Sequence, residues 1–269
     1  MLSSALTRLG RSRAARPLRH LLRPLVSRLA VPVPARIATG HTCYVDTRSV
    51  FGQGLLVTGA MDPKQADWIS SAVEGRDGIF IDAGANVGYF SLLALSKMRE
   101  GVAHAFEIDP RTLRCLRLTK ERGNLENLIV HGCGLGELPA SAGLQAEEEL
   151  GWTHVNFTSA GGPRFEIRPL DDFAEEFAGR RVVAMKMDVE GMELAVVRGA
   201  RRVLTEHRPV VVSEAIDRNL GRYGASVRDL VAFMASLHYA ARPLEGTDDP
   251  TLVFTPEPGE FTEGTSSRP

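Results

Sequence analysis

The sequence predicts an α/β protein, a doubly wound and mostly parallel sheet that ends in an antiparallel strand pair. Three observations carry this. Short apolar runs bounded by glycine recur along the chain, each suited to a strand buried on both faces. Segments with helical spacing separate them, and alternation of this kind implies a parallel sheet covered on both sides. The last two strand-like runs, "YAARPLEG" and "TLVFTP", follow each other with no helix between them. At 269 residues, one large domain with extensions can bury a substantial core.

Residues 1–40 read as a basic extension, with eight arginines (Arg8, Arg11, Arg13, Arg16, Arg19, Arg23, Arg28 and Arg36) before the first acid, Asp46. Leu18, Leu21, Leu22, Leu25 and Leu29 follow helical spacing, which Pro24 should kink. Three readings stay open: a packed extension, peripheral contact with an anionic membrane, or a targeting segment. No run reaches the length of a membrane span, and Arg23 and Arg28 interrupt any signal-peptide core.

Residues 41–256 read as the folded domain. "CYVDTRSVFGQGLLVTGA" suggests short strands with turns. "DPKQADWISSAVEG" suggests a helix, with Asp62 as cap and Pro63 at its start. "GIFIDAGA" is the first buried strand and "NVGYFSLLALSKM" its helix; "GVAHAFEI" and "DPRTLRCLRLTKERG" repeat the pattern. "NLIVHGCG" is a third strand. Periodicity then fades over 137–163, where a substrate lid would belong, and "RFEIRPLDDF" restores it. "RVVAMKMDVEG", "MELAVVRGARRVLTEH", "RPVVVSEA" and "SVRDLVAFMASLH" continue as strand, helix, strand, helix. Residues 257–269, rich in Gly, Ser, Glu and Pro, read as a disordered tail.

A net charge of −1 gives no reason to expect a nucleic-acid partner, and the basic start lacks interleaved aromatic residues. Cys43, Cys115 and Cys133 are odd in number and scattered, which argues against a disulfide framework or zinc site and favours a reducing, cytoplasmic setting.

Open parallel sheets bind ligands beyond the carboxyl ends of their strands, where strand order reverses. That rule selects Asp82 to Gly88, Glu107, Cys133 and Gly134, Asp188 to Gly191, and Glu214. In "IDAGANVGYF", Gly84 and Gly88 permit a sharp strand-to-helix turn and close approach of a ligand to the backbone. Glu107, at the end of the next strand, can accept from both hydroxyls of a ribose, so the pair suggests a nucleoside cofactor. A nicotinamide site expects G-x-G-x-x-G and a pyrophosphate on the helix start. Here the order is D-x-G-x-N-x-G. Asp82 would repel a pyrophosphate but favour the ammonium of an amino acid, as in S-adenosylmethionine.

"FIDAGANVGYFSLLAL", "AFEIDP", "LDDF", "MKMDVEGMELAVVRGA" and "RPVVVSEA", in this order over about residues 78–215, resemble the FkbM family of S-adenosylmethionine-dependent methyltransferases. The resemblance implies a class I methyltransferase (Rossmann-like) fold and O-methylation of a sugar, glycan or secondary-metabolite hydroxyl. It makes Asp82, Gly84, Asn86 and Gly88 the cofactor loop and Glu107 the ribose acid, and it puts Cys133 and Gly134 beside the adenine. The usual aspartate at that last place is missing from "HGCGLGE".

A hydroxyl acceptor needs a base within hydrogen-bond reach. Asp188, Glu190 and Glu214 are the candidates, with His154 a further one. The acids could instead hold a divalent ion on the acceptor oxygen. Lys186, inside a strand, needs a partner for its ammonium, and Glu193 suits a first helical turn. The alternatives are a nicotinamide-dependent oxidoreductase, which the missing G-x-G-x-x-G disfavours, and a non-catalytic cofactor-fold scaffold at a membrane surface.

Overall fold

A computed structural model describes residues 32–147, 152–157 and 163–258. The helical leucine pattern before residue 30, with its membrane and targeting readings, lies outside the described residues, as does the tail beyond Pro258. Strands β1 (Val33–Arg36) and β2 (Thr42–Val45) form an antiparallel hairpin, followed by helices α1 (Val50–Thr58) and α2 (Pro63–Val73). Next come β3 (Gly78–Ala83), α3 (Tyr89–Lys97), β4 (Gly101–Phe106), α4 (Pro110–Gly123) and β5 (Leu128–His131). A small second sheet holds β6 (Gly134–Leu135), β7 (Ala140–Glu147), β8 (Trp152–Asn156) and β9 (Phe165–Arg168). A 3-10 segment, Leu170–Phe177, leads back to β10 (Val182–Met187), α5 (Glu193–Gly199), α6 (Arg201–Glu206) and β11 (Val210–Glu214). Helices α7 (Asp217–Gly221) and α8 (Val227–Ser236) precede β12 (Tyr239–Pro243) and β13 (Thr251–Pro256).

The main sheet has the order β12-β13-β11-β10-β3-β4-β5, with β12 and β13 antiparallel to each other and β13 antiparallel to β11. The five strands from β11 to β5 run parallel. Strand order reverses between β3 and β10, and both strands are buried at every position. Their side chains alternate between two cores. Phe80 and Ala184 join Leu92 and Leu116 under α3 and α4, whereas Ile79, Ile81, Met185 and Met187 join Phe173 and Val197 on the opposite face. This is the doubly wound architecture that the sequence predicts, down to the antiparallel pair.

Several local expectations need correction. Residues 50–58 are helix, not strand: Ser49 Oγ accepts from the Gly52 amide, and Gly59 closes the helix in the left-handed region. Gly52 is inside that helix because a Cβ there would lie 2.2 Å from the Asp46 carbonyl oxygen. The stretch 137–163 carries the β7–β8 hairpin rather than an irregular loop. The single helix expected after β10 breaks at Ala200. A Cβ on Gly199 would sit 1.9 Å from the Gly136 carbonyl oxygen, so the small sheet presses directly on that turn.

Cys43, Cys115 and Cys133 are free and buried. His104 on β4 and His131 on β5 face each other with ring nitrogens 3.0 Å apart, among the rings of Phe106, Phe173 and Phe177. Burial lowers both imidazoles to about 4, so the pair is neutral. No helix among the described residues is long and apolar enough to cross a membrane.

Candidate active site

A cavity of about 250 Å³ opens where β3 and β10 part, beyond the carboxyl ends of the strands. Gly84, Asn86, Glu107, Cys133, Gly134, Asp188 and Glu190 all line it, so the fold brings together most of the cofactor and base candidates named from the sequence. Asp82, Gly88 and Glu214 do not line it.

The two glycines answer first to packing. Gly84 has φ +75°, and a Cβ on it would meet the Asp188 carbonyl oxygen at 1.9 Å. The β3 turn and the end of β10 therefore touch backbone to backbone. Gly88, at φ +87°, opens α3, and a Cβ there would press on Leu116 Cδ1 at 2.6 Å. Close backbone contact is real at Gly84, but the neighbour that demands it is this chain's own Asp188.

Asp82 also departs from expectation. Its side chain is fully buried on the α3 face, where Ser91 Oγ donates to Oδ2 at 2.6 Å. Lys186, its register neighbour on β10, brings Nζ to 3.7 Å from Oδ1. Asp82 thus reaches the cavity through Lys186, which lines the wall in its place. Lys186 Nζ donates to the Gly84 carbonyl at 2.9 Å, lies 3.5 Å from Asp188 Oδ2, and stands 5.3 Å from the centre of the Phe90 ring. Burial works against the ammonium, but Asp188 and Asp82 outweigh it and raise its pKa above the ordinary lysine value. The cation is held at the cavity floor between two acids.

Glu107 follows β4 and is fixed by three backbone donors. Asn86 N donates to Oε2 at 2.8 Å; Ile108 N and Asp109 N donate to Oε1, each at 2.7 Å. Burial nevertheless pushes its pKa up to about 7. Asn86 holds a left-handed backbone (φ 51°) at that contact, and its buried Oδ1 has no hydrogen-bond partner among the described residues. Ile108, Cys133, Leu135 and Ile167 form an apolar slot beside Glu107. The Cys133 thiol, pushed up to about 11 by burial, stays neutral there.

Beyond β10 the acids sort by depth. Asp188 is two-fifths exposed at its side chain, and Glu190 sits in a left-handed turn at φ 56°. Glu193 is buried beneath that turn, where Oε1 accepts from Val189 N at 3.1 Å and Gly191 N at 3.3 Å; burial raises it to about 7. Glu214 is buried behind Glu190. Asn219 on α7, a residue the sequence reading missed, donates Nδ2 to Glu190 Oε2 at 3.4 Å and Glu214 Oε2 at 3.1 Å. Burial, reinforced by the charges of Asp188, Glu190 and Glu193, raises Glu214 to about 9. Glu214 is therefore uncharged at neutral pH and away from the cavity wall, a poor position for a base.

The outer wall comes from elements with no motif: Val50 and Phe51 of α1, Met61, and Val155 of β8. The Tyr223 hydroxyl donates to the Val155 carbonyl at 2.8 Å and ties the hairpin to the turn after α7. His154 lies on β8, its backbone opposite Gln145. No three of the strand-end acids among the described residues bring carboxylate oxygens within 4.8 Å of one another. Among the described residues, the trio of His, Cys, Asp or Glu donors within 4.8 Å of one another is His104, His131 and Glu176, outside the cavity lining.

Residues 82–241, more than half of the chain, match the Methyltransferase FkbM domain. The chain belongs to the FkbM methyltransferase family. Its sheet order is that of the class I methyltransferase fold. Methyltransferase 1 of Beauveria bassiana (strain ARSEF 2860) is 28% identical over 147 residues, 46% of this chain and 58% of that protein. This FkbM-family chain thus spans less than two thirds of that relative's length. Among solved structures, methyltransferase FkbM from Methylobacillus flagellatus KT is 20% identical with a TM-score of 0.45, covering 75% of this chain and 52% of that one. An O-methyltransferase from Bacillus cereus, solved in complex with SAH, is 13% identical with a TM-score of 0.46, over 74% and 83% of the two chains.

Proposed function

We propose that this FkbM-family chain is an S-adenosylmethionine-dependent methyltransferase that acts on a hydroxyl of a small molecule or glycan. One observation carries the reading. The cavity wall holds four carboxylates (Glu107, Asp109, Asp188 and Glu190) against one ammonium, Lys186, already engaged by Asp82 and Asp188. Such a wall suits a cationic nucleoside and offers little to a pyrophosphate, whose binding relies on cations or an open helix start.

The residues present fit that cofactor. Glu107, held rigid by three amides, would accept from ribose hydroxyls, and the apolar slot of Ile108, Cys133, Leu135 and Ile167 would take a flat base. Asn86 Oδ1, which has no partner among the described residues, offers an acceptor to the same ligand. Bound there, S-adenosylmethionine supplies an electrophilic methyl group.

The chain's own work is alignment and proton removal. Glu190 accepts from the neutral Asn219 amide, whereas Asp188 faces the Lys186 ammonium. We therefore assign Glu190 as the base that takes the acceptor's proton, and Asp188 as the group that holds Lys186 and orients the acceptor. Phe51, Met61 and Phe90 keep water from the reacting oxygen.

Parallel calorimetric titrations with S-adenosylmethionine, S-adenosylhomocysteine and NAD test this directly. Micromolar binding of both sulfur ligands, weakened at least about tenfold in Glu107→Ala and absent for NAD, is expected. Binding of NAD alone would overturn the assignment. With an acceptor in hand, Glu190→Gln should lower kcat by roughly 10²–10⁴ and leave cofactor affinity nearly unchanged.

A further inference from the structure

We propose that His104, His131 and Glu176 form a site for a transition-metal cation of the zinc type, one that pins the 3-10 segment to the edge of the main sheet. His104 Nδ1 lies 3.0 Å from His131 Nε2, and Glu176 Oε2 lies 3.9 Å from the same His131 nitrogen. All three donor atoms fall within 4.8 Å of one another. Bonds of about 2.0–2.1 Å at a tetrahedral centre set neighbouring donors about 3.3 Å apart. The two imidazoles already stand at nearly that spacing. Glu176 must close by about 0.6 Å on His131 and by no more than about 1.5 Å on His104, a shift open to a side chain that is 48% exposed.

The arrangement is graded from inside to outside, as a site with an entry path requires. His104 is buried, the His131 side chain is 10% exposed, and Glu176 faces solvent from the 3-10 segment. Contacts around the donors fix the rings. His131 lies parallel to Phe106 at 4.4 Å between centroids and meets Phe173 edge-on at 4.9 Å; His104 meets Phe177 edge-on at 5.2 Å. The pair's own hydrogen bond satisfies one nitrogen of each ring. It does not account for the Glu176 carboxylate that stands beside His131 Nε2. The nearby Arg168 is a competing cation, yet it stacks over Phe173 at 4.3 Å and lies 3.9 Å from Glu166 and 3.8 Å from Asp172. Two imidazoles and a carboxylate suit Zn²⁺ or Co²⁺ over Mg²⁺ or Ca²⁺, which prefer all-oxygen shells. Solvent water would complete the coordination. The site is separate from the cofactor cavity, and its expected role is to hold the 3-10 segment.

That segment also carries Asp171, whose carboxylate accepts from the amides of Arg202 and Val203 at the start of α6. A cation at Glu176 would therefore stiffen the link between the sheet edge and the helices behind β10.

Chelator-stripped full-length protein titrated with ZnCl₂, CoCl₂ and MgCl₂ decides the matter. Expected are one Zn²⁺ per chain, the visible absorption of tetrahedral Co²⁺, no Mg²⁺ uptake, and a rise in Tm that grows with free Zn²⁺. Glu176→Gln, at an exposed position, should fold normally and weaken Zn²⁺ by roughly tenfold or more; His131→Asn should abolish Co²⁺ absorption. No uptake at micromolar zinc would overturn the proposal, as would uptake unchanged in both variants. S-adenosylmethionine titration of Glu176→Gln, expected to match the parent, separates this site from the cofactor cavity.

Discussion

Lys186 Nζ stands 3.7 Å from Asp82 Oδ1 and 3.5 Å from Asp188 Oδ2, so a single buried ammonium joins the ends of β3 and β10. Asp82 is fully buried and Lys186 nearly so. Removing Lys186 leaves the buried Asp82 without its countercharge. Lys186→Met should cost about 3–5 kcal/mol by denaturant titration. The double variant Lys186→Met with Asp82→Asn should recover much of that loss, because neither charge remains. Additive losses would show that the two residues are not coupled.

Glu107 gives a pH signature for cofactor binding. Its pKa in the free protein is about 7, raised by burial. A ligand hydroxyl hydrogen-bonded to the ionised carboxylate favours loss of that proton, so binding lowers the pKa. S-adenosylhomocysteine affinity should therefore strengthen as pH rises toward 7 and level off above it. Calorimetry at pH 5.5, 6.5 and 8 should show this trend, with proton release that varies with buffer ionisation heat. A flat profile would separate Glu107 from the ligand.

Glu214 should act on stability in the opposite sense. Its folded pKa of about 9 exceeds its ordinary value of 4.5, so the native state holds a proton that the unfolded chain releases. Stability is then lost progressively as pH rises from about 4.5 to 9. Glu214→Gln keeps the shape and removes the titration. Its Tm gain over the parent should grow between pH 5 and pH 8, with about 2–4 °C per kcal/mol for a chain of this size.

Gly84→Ala should unfold or severely destabilise the domain, since its Cβ would overlap the Asp188 carbonyl oxygen at 1.9 Å. Gly179→Ala is the control: at φ +73° it meets nothing within 4 Å and should cost only about 1–2 kcal/mol. Circular dichroism melts of both variants check the contrast.

The sheet and the cavity's place were legible because buried parallel strands are continuous apolar runs and their carboxyl ends mark the ligand side. Gly84 and Gly88 were legible as a turn, but not the reason for them. Asp188, whose carbonyl forbids a side chain at Gly84, and Leu116, whose Cδ1 crowds one at Gly88, arrive from remote parts of the sequence. Asp82 looked like a ligand group because its strand-end position is visible while its register with Lys186 is not. Helix α1 was hidden by Gly52 and Gly54, residues that local propensity assigns to turns. Asn219 gave only a faint signal, a polar amide five residues past the last parallel strand-end acid. Nothing local marked Val50, Met61 or Val155 as cavity wall, because tertiary packing alone brings them there.

The small sheet has a consequence for how the protein could diversify. It lies between β5 and β10 in the chain, pairs within itself, and lines the cavity through Gly134, Leu135, Ile167 and Val155, the last tied down by Tyr223 through its backbone carbonyl. A bond to a carbonyl ignores side-chain identity. The Tyr223 tie would therefore survive a change of apolar side chain at residue 155, packed against Ala142, Ile167 and Met192, while Glu107, Lys186 and Glu190 keep their places on the main scaffold. On the function proposed above, the acceptor would meet this hairpin at Val155, and relatives could differ in acceptor by changing that one stretch of wall.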